Sequence, residues 1–580
     1  MIRDYFRVLE IDLSKKKAKI NKIGERTDFV GGSGLCALLF TKYGMFDKPW
    51  DDPGQPLIFA IGPLTGYFPL MSKTVCAFKS PYHNQYTESH AGGRSALSLR
   101  FSDLDALVIT GRSNEPLVIA LGSRNVEFIK ADFLWGLDVI QTGKIVRRMF
   151  DKAKGHRSIL RIGPAGENKS AMACINVDTY RHFGRLGAGA VMGHKKLKAI
   201  VIQGDASFQL PETKSYKKVY KEVFEKVISS GMMKKYHDLG TPDNIKRLNE
   251  LKSLPWRNLS TTCDPDVEKI SGKAFAEDHL LRNLACSGCP IGCIHLGYFR
   301  EKFMKDHRYY FEQVAYDYEP IFATGSMLGI TTPVEILKLI AKIDEMGLDV
   351  ISTGVALAWA TEALKRKIIS VNETIVPLEF GNSPNYLKAI ESFANGENDF
   401  YSALSRGTLY ASSIYGGKEF ACVLGQEMAG YATGELFFAA QSLGFRHSHL
   451  DTGAYSYEQK YNDRDLKGHI DFLLKDEVKR VFLNCMVACL FARGVYTPEI
   501  LGKCLDSIGY EKIASQIDNL SEKIRKYRWK LRFLSGFKPE DITIPKRFYK
   551  VVSWKGPVDG EYLNKLKKEY GLRLKDLIAD

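Results

Sequence analysis

The sequence contains no window approaching the roughly eighteen consecutive apolar residues that a membrane-spanning helix needs. Its first stretch, MIRDYFRVLEIDLSKKKAKI, alternates like a strand and lacks the basic end followed by an apolar block that marks an export signal. Both absences predict a soluble protein that stays in the cytoplasm. There is no internal repeat and no low-complexity tract, and 45% apolar with 26% charged residues is an ordinary globular balance that excludes disordered and fibrous classes. Acidic residues are in deficit, 67 Asp and Glu against 82 Lys and Arg, so the formal net charge is +15. The basic residues fall in short scattered groups (SKKK, GHKKLK, SEKIRKYRWKLR), with no helix-turn-helix, zinc-finger or RNA-binding signature beside them. An acidic protein partner is therefore expected before nucleic acid. Cysteine is sparse and uneven, eleven in 580 residues. An odd, clustered set does not suit a secreted disulfide framework, and it leaves thiols free for metal or catalysis.

What is present divides the chain. At 580 residues it exceeds what one core usually serves, so two or three subdomains are expected. Residues 1–208 carry short apolar runs cut by glycine turns, among them PLIFAIG, KTVCAFK, DALVITG, PLVIALG and KAIVIQG. From PETKSYKKVYKEVFEKVISS onward helical spacing takes over, with Pro211 just inside the first start. The periodicity breaks again near 375–425, at VPLEFGNSPNY and SIYGGKEFACVL. The predicted fold class is α+β: a β-rich domain over 1–208, then two mainly helical domains over 209–420 and 421–580. The tail from IPKRFYK reads as an extended arm and a short amphipathic helix. GGSGLCA (31–37) contains a G-x-G-x-x-A pattern, but GERTDF before it is no buried strand, so a dinucleotide loop is rejected.

The densest chemistry is ACSGCPIGCIH (285–295), where Cys286, Cys289 and Cys293 form C-x2-C-x3-C. One loop can direct three such sulfurs at a single centre, and thiolates suit zinc or iron–sulfur clusters. Zinc would complete itself with a nearby C-x-x-C or histidine pair, and His295 sits at a poor offset. An iron–sulfur cluster needs a distant fourth thiolate, for which spacing leaves Cys422, Cys485, Cys489 and Cys504 open. A zinc protein binding nucleic acid is the rival reading from another class.

In order along the chain, AIGPLTG (60–66), KSP (79–81), HAGGR and DALVITG (90–111), IGPAGEN (162–168), GRLGAGAVMGHKKLKAI (184–200), LPWRN and EKISG (254–272), CSGCPIGC (286–293), DEMGLD (344–349) and NCMVACLF (484–491) resemble the aldehyde:ferredoxin oxidoreductase family. The resemblance implies a bis-molybdopterin cofactor carrying tungsten or molybdenum, Mg2+ bridging the pterin phosphates, and one 4Fe-4S cluster. It implies oxidation of an aldehyde to a carboxylate, or the reverse, with ferredoxin or a ferredoxin-like subunit as electron partner. It makes Cys489 the fourth cluster ligand and Cys485 a packing residue. The first pterin motif, D-x-x-G-L-D, is intact at Asp344, Gly347, Leu348 and Asp349. The second reads Asn484, Val487, Ala488, so its Asp and Gly-Leu are lost. Gly92, Gly93, Gly184, Gly187 and Gly189, with Arg94, Arg181 and Arg185, are expected to cradle phosphate and pterin. Lys73 stands where the family links cluster and pterin through an arginine.

By the same resemblance Glu319 and His449 are the acid–base pair near the metal, with His447 the alternative histidine and with burial expected to raise the carboxyl pKa. Cys263, in STTCDPD, resembles the tungsten-ligating cysteine of class II benzoyl-CoA reductase catalytic subunits. It carries the alternative of a reductase subunit acting on an acyl-CoA or another non-aldehyde substrate. LKLIAKID replaces the family's E-x-x-H helix, so an iron shared between subunits is not expected, while a homodimer or hetero-complex by another route stays open.

Overall fold

The computed structural model describes residues 3–151, 156–302 and 309–579. Its first part holds two six-stranded sheets. One runs in the order Lys17–Ile23, Phe6–Asp12, Ala106–Thr110, Leu57–Ala60, Thr74–Lys79, Tyr86–Ala91, all antiparallel except the pairing of Phe6–Asp12 with Ala106–Thr110. The other runs Arg181–Phe183, Ile175–Val177, His156–Arg161, Leu197–Gly204, Leu117–Leu121, Val126–Lys130. A single apolar cluster takes Leu57, Phe78 and Ile109 from the first sheet and Ile119, Leu160 and Ile200 from the second. That sharing explains why the central strands read as continuous apolar runs, since both of their faces are covered.

Tyr86–Ala91 (YTESHA) is a strand without an apolar signature, and it is nevertheless buried. Its Glu88 is fully enclosed and receives Nε and a terminal nitrogen of Arg528 at 2.7 and 3.0 Å. Tyr86 and Ser33 hydroxyls donate to the same carboxylate at 3.1 and 2.6 Å. A polar strand is tolerated inside because every charge on it is paired and hydrogen-bonded.

GGSGLCA opens the helix Gly32–Tyr43, and a Cβ on Gly32 would lie 2.2 Å from the Asn484 carbonyl oxygen. The glycine serves close packing there against the last turn of the helix Leu466–Met486. The first helix of the second part is Lys214–Ile228, capped by Thr213, whose hydroxyl accepts from Tyr216 N–H. Pro211 therefore lies before the start, a correction to the expected boundary: the cap hydrogen bond, not the proline, sets the helix's beginning.

Besides two small two-stranded sheets, the helical region contains a three-stranded sheet that helical spacing did not reveal, Leu280–Leu284, Ile294–Lys302 and Tyr309–Tyr316. The cysteine trio occupies the connection between its first two strands. One apolar cluster runs from Ile321 and Trp359 to Phe438, Trp529 and Leu574, so residues on both sides of 420 share a core. The chain closes with the 20-residue helix Gly560–Ala579, longer than the short helix expected. No helix among the described residues is long and apolar enough to cross a membrane.

Candidate functional site

A cavity of about 380 Å³ opens where the two sheets meet the helical part. Cys286, Cys289, Cys293 and Cys489 all line it and are partly exposed, whereas Cys422, Cys485 and Cys504 are buried elsewhere. Leu70 ties the two cysteine-bearing segments together: its N–H donates to the Gly288 carbonyl at 3.2 Å and its carbonyl accepts from Cys489 N–H at 2.9 Å. Among the described residues no three His, Cys, Asp or Glu side chains converge on one ion-sized point. Four thiols distributed around a cavity suit a larger, multi-metal centre.

Gly92 lies against the trio, where a Cβ would stand 2.7 Å from Cys286 Sγ and 3.5 Å from Lys73 Nζ. Burial pushes the Cys286 thiol up, but the Arg181 guanidinium and Lys73 beside it outweigh that and hold it below the ordinary thiol value. Burial leaves Cys289 and Cys293 pushed up to about 12. Arg181 reaches Asp317 at 3.5 Å, and its buried Nε has no partner.

Two helix ends face the cavity with the same geometry. Pro333–Met346 ends at Gly347 (φ 76, ψ 35), whose N–H donates to Asp344 O at 3.1 Å while Leu348 N–H donates to Ile343 O at 3.1 Å. Leu466–Met486 ends at Val487 (φ 55, ψ 31), whose N–H donates to Asn484 O at 3.2 Å while Ala488 N–H donates to Leu483 O at 2.9 Å. The left-handed turn thus persists where its glycine has become valine, at a cost of about 1–2 kcal/mol for an L-residue. Asp344, Leu348 and Asn484 line the cavity.

Burial and Glu345 push Asp344 up to about 8, while burial and Arg181 push His182 down to about 3. Both shifts favour the neutral form of each group at their 3.5 Å contact. Asp349 lines the cavity but is committed as a helix cap, accepting from Ile351 and Ser352 N–H at 3.2 and 3.1 Å. It also faces Arg185 Nε at 3.3 Å, and one terminal nitrogen of Arg185 is buried without a partner.

Several expected phosphate contacts lie elsewhere. Arg94 is exposed and outside the cavity lining, because its backbone opens the helix Ser95–Phe101 while its N–H donates to Asp178. Gly187 and Gly189 serve packing, with a Cβ meeting Pro81 Cγ at 2.3 Å and Cys174 O at 2.4 Å respectively. Gly93 sits at φ 103 beside Asp178 and Arg181, and Gly184 lines the cavity.

At the other pole Glu319, in the first turn of Tyr318–Thr324, meets His449 Nε2 at 3.1 Å and accepts from the Tyr431 hydroxyl at 2.8 Å. Burial alone would raise the Glu319 carboxyl, but His449 and Tyr431 hold it below the ordinary carboxylate value. This corrects the expected upward shift, since hydrogen bonds to the charged form outweigh burial. His447 is excluded from the pair: its Nδ1 faces Ser442 O at 2.8 Å, its Nε2 faces Arg532, and it does not line the cavity.

Cys263, expected at the metal, does not line this cavity. The segment is turned away by the Trp256–Thr261 bridge, by Thr262 Oγ1 donating to Val552 O at 3.0 Å, and by Asp264 bound to Asn249 and Arg257. Tyr431, His182, Asp317 and Arg446 line or contact the site without having been singled out in the sequence. Single polar residues carry no spacing signal that would have marked them.

The donor set fits a large anionic cofactor beside a cluster: four thiols, unpartnered arginine nitrogens on Arg181 and Arg185, and two helix C-caps with close backbone. The family model described as the aldehyde ferredoxin oxidoreductase N-terminal domain matches residues 8–204, and that for domains 2 and 3 matches 218–573. Similar proteins include tungsten-containing aldehyde ferredoxin oxidoreductases from Thermococcus kodakarensis, 29% identical over 99% of this chain and 96% of the relative, and from Pyrococcus furiosus, 28% identical over 100% and 95%. A WOR-like subunit of an aliphatic sulfonate oxidoreductase from Pyrococcus furiosus is 31% identical over 70% of this chain and 66% of its own length. Among solved structures, a chain of the active-site complex of benzoyl coenzyme A reductase with 1,5-dienoyl-CoA superposes with a TM-score of 0.81 at 18% identity, covering 98% of this chain and 94% of that one.

Proposed function

The chain belongs to the aldehyde ferredoxin oxidoreductase family and is an oxidoreductase of its tungsten-pterin, iron–sulfur type, and we propose that it oxidises an aldehyde with water to a carboxylate, or runs the reverse reduction. The observation that carries this is one cavity joining Cys286, Cys289, Cys293 and Cys489 to the two helix caps and to the Glu319–His449 pair. The four cysteines would hold the cluster. Asp344, Gly347, Leu348, Asn484, Arg185, Lys73 and Gly92 would hold the pterins. When bound, the pterin-held metal accepts the electron pair and the cluster passes electrons singly to ferredoxin or a ferredoxin-like subunit.

The protein's own residues manage protons and position. Ionised Glu319 takes a proton from the water that adds to the aldehyde carbon, and His449 shares it through the 3.1 Å contact. Tyr431 holds the carboxylate oriented, and the half-buried Tyr455 ring packs against it in a tilted arrangement with centroids 4.4 Å apart. A role on acyl-CoA drew on Cys263 as a metal ligand, and Cys263 stands outside the cavity lining.

Anaerobically purified protein should contain about four irons and one tungsten per chain and reduce a viologen dye when given aldehyde. Glu319→Gln should keep the metals and lower kcat by roughly 10²–10⁴-fold. A colourless protein holding zinc alone would refute the proposal.

A further inference from the structure

Beside the central cavity a surface groove of about 590 Å³ runs between the end of the Lys214–Ile228 helix and residues 491–500. Met233 and Phe491 line both the groove and the cavity, so the two spaces adjoin there. Phe491 follows two residues after Cys489 and stacks on Tyr236, with ring centroids 3.8 Å apart and planes 13° from parallel. Tyr455 packs on Tyr431, the residue that donates to Glu319. The groove thus adjoins the cavity that holds Glu319 and His449 at a stacked ring and a flexible methionine.

The charge along this path is uneven. Lys226 is paired with Glu222 at 3.4 Å and Glu499 with Lys503 at 2.8 Å. Arg493 has no carboxylate within ion-pair distance among the described residues, and one of its terminal nitrogens donates to Leu490 O at 2.9 Å. It sits between groove and interior: burial pushes the phenols of Tyr236 and Tyr455 up, and the Arg493 guanidinium beside both opposes that push. A guanidinium without a carboxylate partner beside this passage offers a charge-assisted contact to a planar oxyanion.

We propose that this groove is the substrate entrance, that Phe491 on Tyr236 is its door, and that Arg493 selects substrates carrying a carboxylate at the end remote from the reacting carbon. The inference rests on Glu319 and His449 being the reacting pole. Two measurements on the purified holoenzyme test it. The first is the ratio of kcat/KM for 4-oxobutanoate to that for butanal, an aldehyde of equal chain length without the carboxylate. Arg493→Gln should lower this ratio at least tenfold, and Arg493→Lys by less, because the fork is lost while the charge remains. Lys226→Gln, at the same groove but already paired, should hold the ratio within twofold. The second is calorimetric binding of succinate, which should weaken at least tenfold in Arg493→Gln. Equal ratios in the wild type and Arg493→Gln, or succinate binding that is absent or indifferent to Arg493, would overturn the proposal. If neither aldehyde is oxidised while succinate binding still follows Arg493, the entrance stands and the chemistry assigned to Glu319 and His449 falls.

Discussion

Asp344 shows what a single residue of the site contributes to stability. Its folded pKa, about 8, lies well above the ordinary carboxylate value because burial and Glu345 favour the neutral form. A raised folded pKa contributes stability that is complete below the unfolded value, about 3.9, and is lost as pH rises toward and through the folded one. Cofactor-free protein should therefore melt at falling temperatures from about pH 4 to pH 8, and Asp344→Asn should flatten that decline. Parallel slopes in calorimetric scans of the two proteins would count against it. At the same scale, the motif residues Asp344, Leu348 and Asn484 were legible from the sequence and do line the cavity, as do the four cysteines. Tyr431 was not legible, because a tyrosine in AGYATG becomes distinctive only once folding delivers Glu319 to its hydroxyl. Cys263 and Arg94 went the other way: their neighbours in sequence suggested the site, and local hydrogen bonds turn them from it.

Elements were readable in proportion to how fully apolar contacts explain them. Leu57–Ala60 and Thr74–Lys79 are buried throughout and stand out as apolar runs. Tyr86–Ala91 is equally buried but polar, and its partner Arg528 lies in the helix Ile517–Leu534, so nothing local announces it. Arg528→Met should cost about 3–5 kcal/mol by leaving Glu88 buried and unpaired, and adding Glu88→Gln should recover much of the loss. Denaturant midpoints of the single and double variants decide this, and a double variant no more stable than Arg528→Met would disprove the pairing account. The sheet bearing the cysteine trio was hidden differently. Its strand Ile294–Lys302 (IHLGYFREK) has a single β-branched residue, ends in charged residues and carries no clear alternation, so it does not stand out from the helical sequence around it. The end of the helix Leu466–Met486 shows the converse, a structure kept after its sequence signature is gone: Val487 reproduces the turn made by Gly347.

For the whole molecule, the +15 formal charge is a property of the surface rather than of any one element. It should attract an acidic electron carrier over a range set by salt, about 10 Å at 0.1 M ionic strength. Reduction of an acidic ferredoxin should slow several-fold between low and about 0.3 M salt, while aldehyde oxidation with a small cationic dye should not. A ferredoxin rate indifferent to salt would remove the charge from the account of recognition. The α+β division was visible at this scale because composition changes along the chain. The meeting of both parts around one cavity was not, since it depends on contacts between segments far apart in sequence. Leu70 joins three of them, with one hydrogen bond to the loop of Cys286, Cys289 and Cys293 and another to Cys489. The thiol that completes the set is therefore synthesised long after the other three, and closing so large a loop carries an entropy cost that folded structure must already have met. A nascent chain still short of Cys489 has no complete set to offer, so products truncated before Cys489 should be iron-poor.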